Sequence, residues 1–206
     1  MVSKIAGMGL KIAILTMLVT GSWGCARKPY IDVAYRLPDD TDRLVGRTVF
    51  IEIRDLRRDA DIFNQRAGEQ FKHFNGLFSL SLITPGDHEE AVGSYRLPML
   101  FEKAFARRLQ RLGVKVAPKS SMNIPVFQVK LNRFQISLIG QKWQAKVSYE
   151  VSLAQDTQMV AREFVSGSAE RVRVVGSGGA EKVIGELFTD MINRLDIERL
   201  FAQGKL

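Results

Sequence analysis

Cysteine occurs once in the 206 residues, at Cys25, and histidine only twice, at His73 and His88. A single cysteine excludes a disulfide within the chain, so the fold has to rest on its apolar core. Metal centres need His, Cys or carboxylate ligands at defined spacing, and neither histidine has a partner one helical turn away. The same scarcity leaves no assembled nucleophile and base, because Ser79 or Ser137 would need His73 or His88 folded beside it. No cofactor and no metal are therefore expected, and the chain reads as a non-enzyme. The run Gly176-Ser177-Gly178-Gly179 lacks the lysine and hydroxyl of a phosphate-binding loop and reads as a flexible turn. Nor is there a basic run interleaved with aromatics, which argues against nucleic acid as a partner. Repeats and low-complexity tracts are missing too.

Long apolar runs are equally scarce. Residues 12–19, Ile-Ala-Ile-Leu-Thr-Met-Leu-Val, are too few to span a bilayer as a mature helix. With Lys4 and Lys11 before or beside them and Gly24 leading into Cys25, they have the layout of an exported bacterial lipoprotein. Residues 1–24 then form a signal peptide and Cys25 is the lipid attachment site. Ser22 and Trp23 stand where such signals usually carry Leu and a small residue. Two alternatives stay open: an ordinary secretory signal followed by a free thiol, and a retained N-terminal anchor. Acylation would cap an otherwise unpaired thiol, and several acyl chains would hold the protein on a membrane almost permanently.

Loss of the signal removes two lysines and lowers the net charge from +8 to +6. A basic balance favours anionic surfaces, which in a cell envelope means phospholipid headgroups, lipopolysaccharide phosphates or acidic proteins. The remaining length suits one domain with a proper core. Residues 25–46, with Pro29, Pro38, Asp39, Asp40 and Asp42, read as the lipidated N-terminus and a tether carrying at most one short strand. The domain proper is expected over residues 47–206.

Within it, Val49, Ile51 and Ile53 alternate as a first strand, followed by a long polar loop over residues 57–76. Residues 78–84 alternate again. Leu97, Leu100, Phe101, Ala104, Phe105, Leu109 and Leu112 recur at the helical period, with Ser94 as a candidate cap and Gly113 as a stop. Phe127, Val129 and Leu131 share one strand face, but the apolar phase then moves to Phe134, Ile136 and Leu138, which predicts a bulge near Asn132 and Arg133. A turn at Gly140 and Gln141 leads to Trp143–Leu153, where apolar and polar residues alternate without a break. A third strand starts at Met159, a second amphipathic helix near Ala180, and a short last helix at Asp196, its N-cap. The expected class is α+β, a single domain in which an antiparallel β-meander sheet is packed by two amphipathic helices.

Two polar features are candidates for contact with an anion or a partner. Asp55, Arg57, Arg58 and Asp59 follow the first strand, and could clamp an anionic group or simply close that strand with local ion pairs. Lys103, Arg107, Arg108 and Arg111 line the polar face of the first long helix, as a binding surface or a solvated one.

The order of signal, cysteine, first strand ending in Asp55-x-Arg57, Leu/Phe-rich helix ending in Arg-Leu-Gly, meander, and a C-terminal Asp-Ile-Glu-Arg-Leu-Phe resembles the YajG-type lipoprotein family of Gram-negative bacteria. The resemblance implies a small lipid-anchored domain on the periplasmic face of the outer membrane, with no established activity. Ala26 after Cys25 favours the outer membrane under enteric sorting rules. The functional expectation is a non-enzymatic envelope lipoprotein, a lipid-anchored interaction module whose partner is an envelope protein or an anionic lipid. The alternative is an auxiliary lipoprotein of an ABC-type lipid-transport system that binds a partner protein or phospholipid.

Overall fold

The clearest alternation in the sequence forms the longest strands. In the computed structural model, which describes residues 28–156, 158–173 and 179–206, β6 (Val126–Ile139), β7 (Lys142–Gln155) and β8 (Gln158–Val172) make an antiparallel meander. Trp143, Ala145, Val147, Tyr149, Val151 and Leu153 are buried as their spacing predicts. The register between β6 and β7 slips between Leu131 and Arg133, so Asn132 is the extra residue. That bulge resets the phase and keeps Phe127, Val129 and Leu131 on the same buried face as Phe134, Ile136 and Leu138.

The meander continues into parallel strands. β2 (Thr48–Asp55) lies beside β6, and the two-residue β5 (Lys115–Val116) closes the order β5-β2-β6-β7-β8. The sequence suggests one sheet, whereas the structure has a second, of order β1-β3-β4, built from β1 (Tyr30–Arg36), β3 (Leu77–Ile83) and β4 (Glu89–Tyr95). β1 runs parallel to β3, and β4 antiparallel to it. The class is α+β, with both sheets sharing one continuous core.

Four helices lie among the described residues: α1 (Gln65–Gln70), α2 (Leu97–Arg111), α3 (Ala180–Arg194) and α4 (Ile197–Gln203). The apolar stripe of α2 faces inward, with Leu100, Phe101, Ala104, Phe105 and Leu109 fully buried. Phe101 joins the layers: its ring meets Phe134 and Tyr149 of the large sheet and Phe188 of α3, at centroid separations of 6.2, 6.0 and 5.1 Å. Tyr149 donates to the Met191 carbonyl at 2.6 Å and so fixes α3 to the sheet. α3 approaches both sheets closely. A Cβ on Gly167 of β8 would lie 2.6 Å from Met191 Sδ, and one on Gly185 would lie 3.1 Å from the Ala34 carbonyl oxygen of β1.

Three expectations are corrected. Of the stretch expected as a tether, residues 25–46, the described part from 28 on is not free, because β1 buries Ile31, Val33 and Tyr35 completely. The following stretch is strapped across the end of α2: Thr41 N–H donates to the Arg111 carbonyl and Leu44 N–H to that of Leu112, at 3.1 and 2.8 Å. These bonds satisfy carbonyls that a helix end leaves without partners. The domain therefore takes in residues 30–46 as well as those from 47 onward. Residues 57–76 are not one loop either. Ile136 N–H donates to Ile62 O at 2.6 Å, and Asn64 both caps α1 through Ala67 N–H and bonds the backbone of Leu138. Finally, Ser94 does not cap α2 but pairs with Ser79 across the small sheet, while Arg96 precedes the helix and Pro98 occupies its first turn.

α3 also seals the free edge of β1. Thr189 Oγ1 accepts from Arg36 N–H, Asn193 Nδ2 donates to Arg36 O, and Glu181 Oε1 accepts from Asp32 N–H, at 3.0, 2.9 and 3.3 Å. Side chains of one helix thus replace the neighbour strand that β1 lacks. No helix among the described residues is long and apolar enough to cross a membrane.

Candidate functional site

Asp55 ends β2 opposite Leu131, one residue before the β6 bulge, so the chain leaves the sheet where β6 itself is kinked. Arg57 folds back on Asp55 as a fork: Nε donates to Oδ1 at 2.9 Å and Nη2 to Oδ2 at 2.8 Å. Its backbone N–H reaches Oδ1 at 3.3 Å, and Nη1 donates to Ala60 O at 3.3 Å. The hydrogen bond from Arg57 holds the Asp55 carboxyl below its usual range, against a smaller upward push from burial. With most donors used locally, Arg57 closes the strand end and is not free to grip a ligand. That is the structural alternative raised by the sequence.

Arg58 is different. It is exposed, has no ion pair among the described residues, and lines a cleft of about 520 Å³ together with Asp59, Asp61, Arg133, Gln135 and Ser148. Arg133, on the bulge, is likewise exposed and unpaired among the described residues. Two guanidinium groups thus face one open cleft, tempered by two carboxylates, a composition able to take a carboxylate or phosphate weakly at its surface. Sequence reasoning found Arg58 and missed Arg133 as its neighbour. The phase shift at residue 132 marked the bulge, but only parallel pairing of β2 with β6 sets residue 58 beside residue 133.

The basic face of α2 is brought together only in part. Lys103 is half-buried with Glu102 at 3.3 Å, and exposed Arg107 reaches Gln110 Oε1 at 3.4 Å. Arg111 is bound to Asp40 at 2.5 Å, within the strap of residues that crosses the helix end. Arg108 turns toward a smaller cleft of about 270 Å³ with Asn193, Arg194, Asp196 and Glu198, where its Nε is buried without a partner among the described residues. The four side chains therefore do not form one positive surface.

Elsewhere the open face of the large sheet carries cross-strand polar pairs. Lys130 meets Glu150 at 3.1 Å, and Gln128 Nε2 donates to Glu52 at 2.5 Å. Burial pushes the Glu52 carboxyl up, but bonds from Gln128 and Arg54 and the Arg54 charge outweigh it and leave the group below its usual range. At one end of this sheet Met122, Ile124, Val126 and Ala154 line an apolar groove of about 680 Å³.

His73 and His88 are both exposed, and neither imidazole bonds to Ser79 or Ser137 among the described residues. Those serines sit in strands, opposite Ser94 and Gln144. No group of three His, Cys, Asp or Glu side chains among the described residues is placed to share a metal ion. Cys25, the signal segment and Gly176 to Gly178 lie outside the described residues.

No family model matches the chain, and no curated protein matches it. Among solved structures it is similar to protein XCC0632 from Xanthomonas campestris, of the DUF330 family, with a TM-score of 0.51 and 10% identity over 84% of this chain and 94% of that one. It is also matched to a minor lipoprotein from Acinetobacter baumannii, with a TM-score of 0.38 and 9% identity over 76% of this chain and 96% of the other. Rare lipoprotein B from Shewanella oneidensis gives 0.38 and 11% over the same shares. None of these descriptions singles out the YajG-type family. What the comparison establishes is a fold shared with the Xanthomonas protein of the DUF330 family.

Proposed function

We propose that the chain is a non-enzymatic lipoprotein of the bacterial cell envelope, acylated at Cys25 and anchored by that lipid to the periplasmic face of the outer membrane. The YajG-like layout of the sequence belongs to the same reading. The observation that carries it is where the cysteine stands relative to the domain. The sole cysteine sits a few residues ahead of β1 and follows a short apolar run that Lys4 and Lys11 precede. The globular part then acts as an interaction module, whose exposed guanidinium groups at Arg58 and Arg133 suit an acidic or phosphorylated envelope component.

The test is labelled palmitate in cells of a Gram-negative host. The wild-type chain takes up label and fractionates with the outer membrane, whereas Cys25→Ser does neither. An unlabelled, full-length chain in the cytosol would overturn the reading. A second reading, an auxiliary lipoprotein of an ABC-type lipid-transport system, draws on the apolar groove at Met122, Ile124, Val126 and Ala154, which has room for part of an acyl chain. Native mass spectrometry after gentle extraction decides between them, since co-purified phospholipid favours the second.

A further inference from the structure

We propose that the domain rests one particular end on an anionic phospholipid surface, touching it with Ile139, Lys142 and Val172; this builds on the acylation of Cys25 proposed above. Four residues, Ala26 to Pro29, separate Cys25 from the first residue of β1. Even fully extended, that link reaches no more than about 18 Å. The headgroup zone takes up about 5–8 Å of it in each leaflet. The start of β1 is thereby held within about 10–13 Å of the headgroups, little more than one Debye length in moderate salt. Whatever surrounds the start of β1 has to face the membrane.

A chain of contacts identifies those surroundings. Asn75 N–H donates to Pro29 O at 2.8 Å, and neighbouring Phe74 packs on Phe63, which stacks on Phe71, whose ring meets Trp143 near the start of β7. Gln70, at the end of α1, accepts from Arg173, whose backbone N–H in turn donates to Gln141 O at 2.8 Å. The entry of β1, the tip of the β6–β7 hairpin and the end of β8 thus share one end of the molecule. There Ile139, Lys142 and Val172 stand on one rung of the sheet. Ile139 and Val172 are 59% and 63% exposed, unusual for branched apolar side chains on both sides of a lysine.

Charge at this end suits the same surface. Arg66 and Lys72 are exposed and have no ion pair among the described residues. Lys28 and Lys142 do have partners, Asp32 at 2.5 Å and Glu170 at 3.6 Å, but stay more than half exposed. Glu69 and Glu181 also lie here, Glu181 already engaged with Asp32 N–H. An apolar tip ringed by basic side chains is the pattern of a protein seated at a lipid headgroup layer. The far end, with Met122, lies about 45 Å away along the strands of the meander.

The test uses the processed full-length chain with Ile139→Cys, Val172→Cys or, as the far-end control, Met122→Cys, since an acylated Cys25 leaves only the new thiol to label. A polarity-sensitive fluorophore is attached, and the chain is placed in phosphatidylethanolamine–phosphatidylglycerol vesicles containing brominated lipid. Quenching at 139 and 172 should exceed that at 122 by at least about threefold, as expected for side chains at the headgroup boundary. The excess should shrink when phosphatidylcholine replaces phosphatidylglycerol, or when Lys72→Glu and Lys142→Glu are added to the Val172→Cys chain. Equal quenching at both ends overturns the proposal. So does a label at 139 that is shielded from water yet unquenched by lipid, which would mark a second copy or a protein partner on this end. Intact mass of the same sample reports acylation. An acylated chain without quenching rejects the docking alone, whereas an unacylated one rejects the anchor and the docking together.

Discussion

In the five-stranded sheet, β7 carries its own instructions: from Trp143 to Leu153 six apolar side chains alternate with polar ones, and all six are buried. In the three-stranded sheet, β1 has three such positions and sits among prolines and aspartates, while β4 reads Glu-Glu-Ala-Val-Gly-Ser-Tyr and buries none fully. The first sheet has its buried face written into its central strands β6 and β7, whereas β8 buries only Ala161 and Val165. The second is held by what surrounds it, namely the α3 side chains that bond the free edge of β1 and the aromatic contact between Phe78 and Phe134, 5.6 Å apart. The difference teaches that burial and local pattern are separate properties. Ile31, Val33 and Tyr35 are as inaccessible as Trp143, although their segment looks like a linker.

The sharpest way to break this comparison is to treat β1 as dispensable. Val33→Asp would set an unpaired charge in a fully buried site, and a loss of about 4 kcal/mol or more, enough to unfold the domain, is expected in urea denaturation. A variant as stable as the wild type would restore the tether. A smaller effect probes the contact between β1 and α3. Gly185→Val would force atoms into the Ala34 backbone and should cost about 1–3 kcal/mol. Hydrogen exchange should then speed up at the Asp32 and Arg36 amides well before it does in β7.

The smallest effect belongs to the polar cluster beside the large sheet. Arg57→Ala removes a fork onto Asp55 and should cost about 1 kcal/mol at neutral pH. Because folding lowers the Asp55 pKa, the pair stabilises the protein above the ordinary carboxyl value of 3.8, and that stability is lost as pH falls through the lower folded value. Wild type and variant should accordingly converge in acid. A gap that stays constant down to pH 2 would show that Arg57 acts through packing instead.

What sequence reasoning could and could not reach follows from the range of each signal. The β6 bulge was legible because a period of two cannot change phase without an extra residue. The α2 stripe, the turn before β7 and the Asp196 cap were legible for the same local reason. α1 was not, since its cap, Asn64, is also defined by bonds to Leu138 far along the chain. The same holds at the candidate site. The Asp55–Arg57 fork spans two residues and could be anticipated, whereas Arg58 beside Arg133, and Arg111 on Asp40, require elements to meet.

By itself, the sequence determined the strands and helices whose apolar side chains repeat at a fixed period, because periodicity is a property of one segment and its own backbone geometry. It also determined that a single thiol follows a short apolar run. Only the tertiary structure decided that residues 30–46 belong to the domain, that a second sheet exists, and which basic side chains remain free. Each of these depends on hydrogen bonds and packing between segments distant in the chain, and nothing in a segment's own composition records its partner.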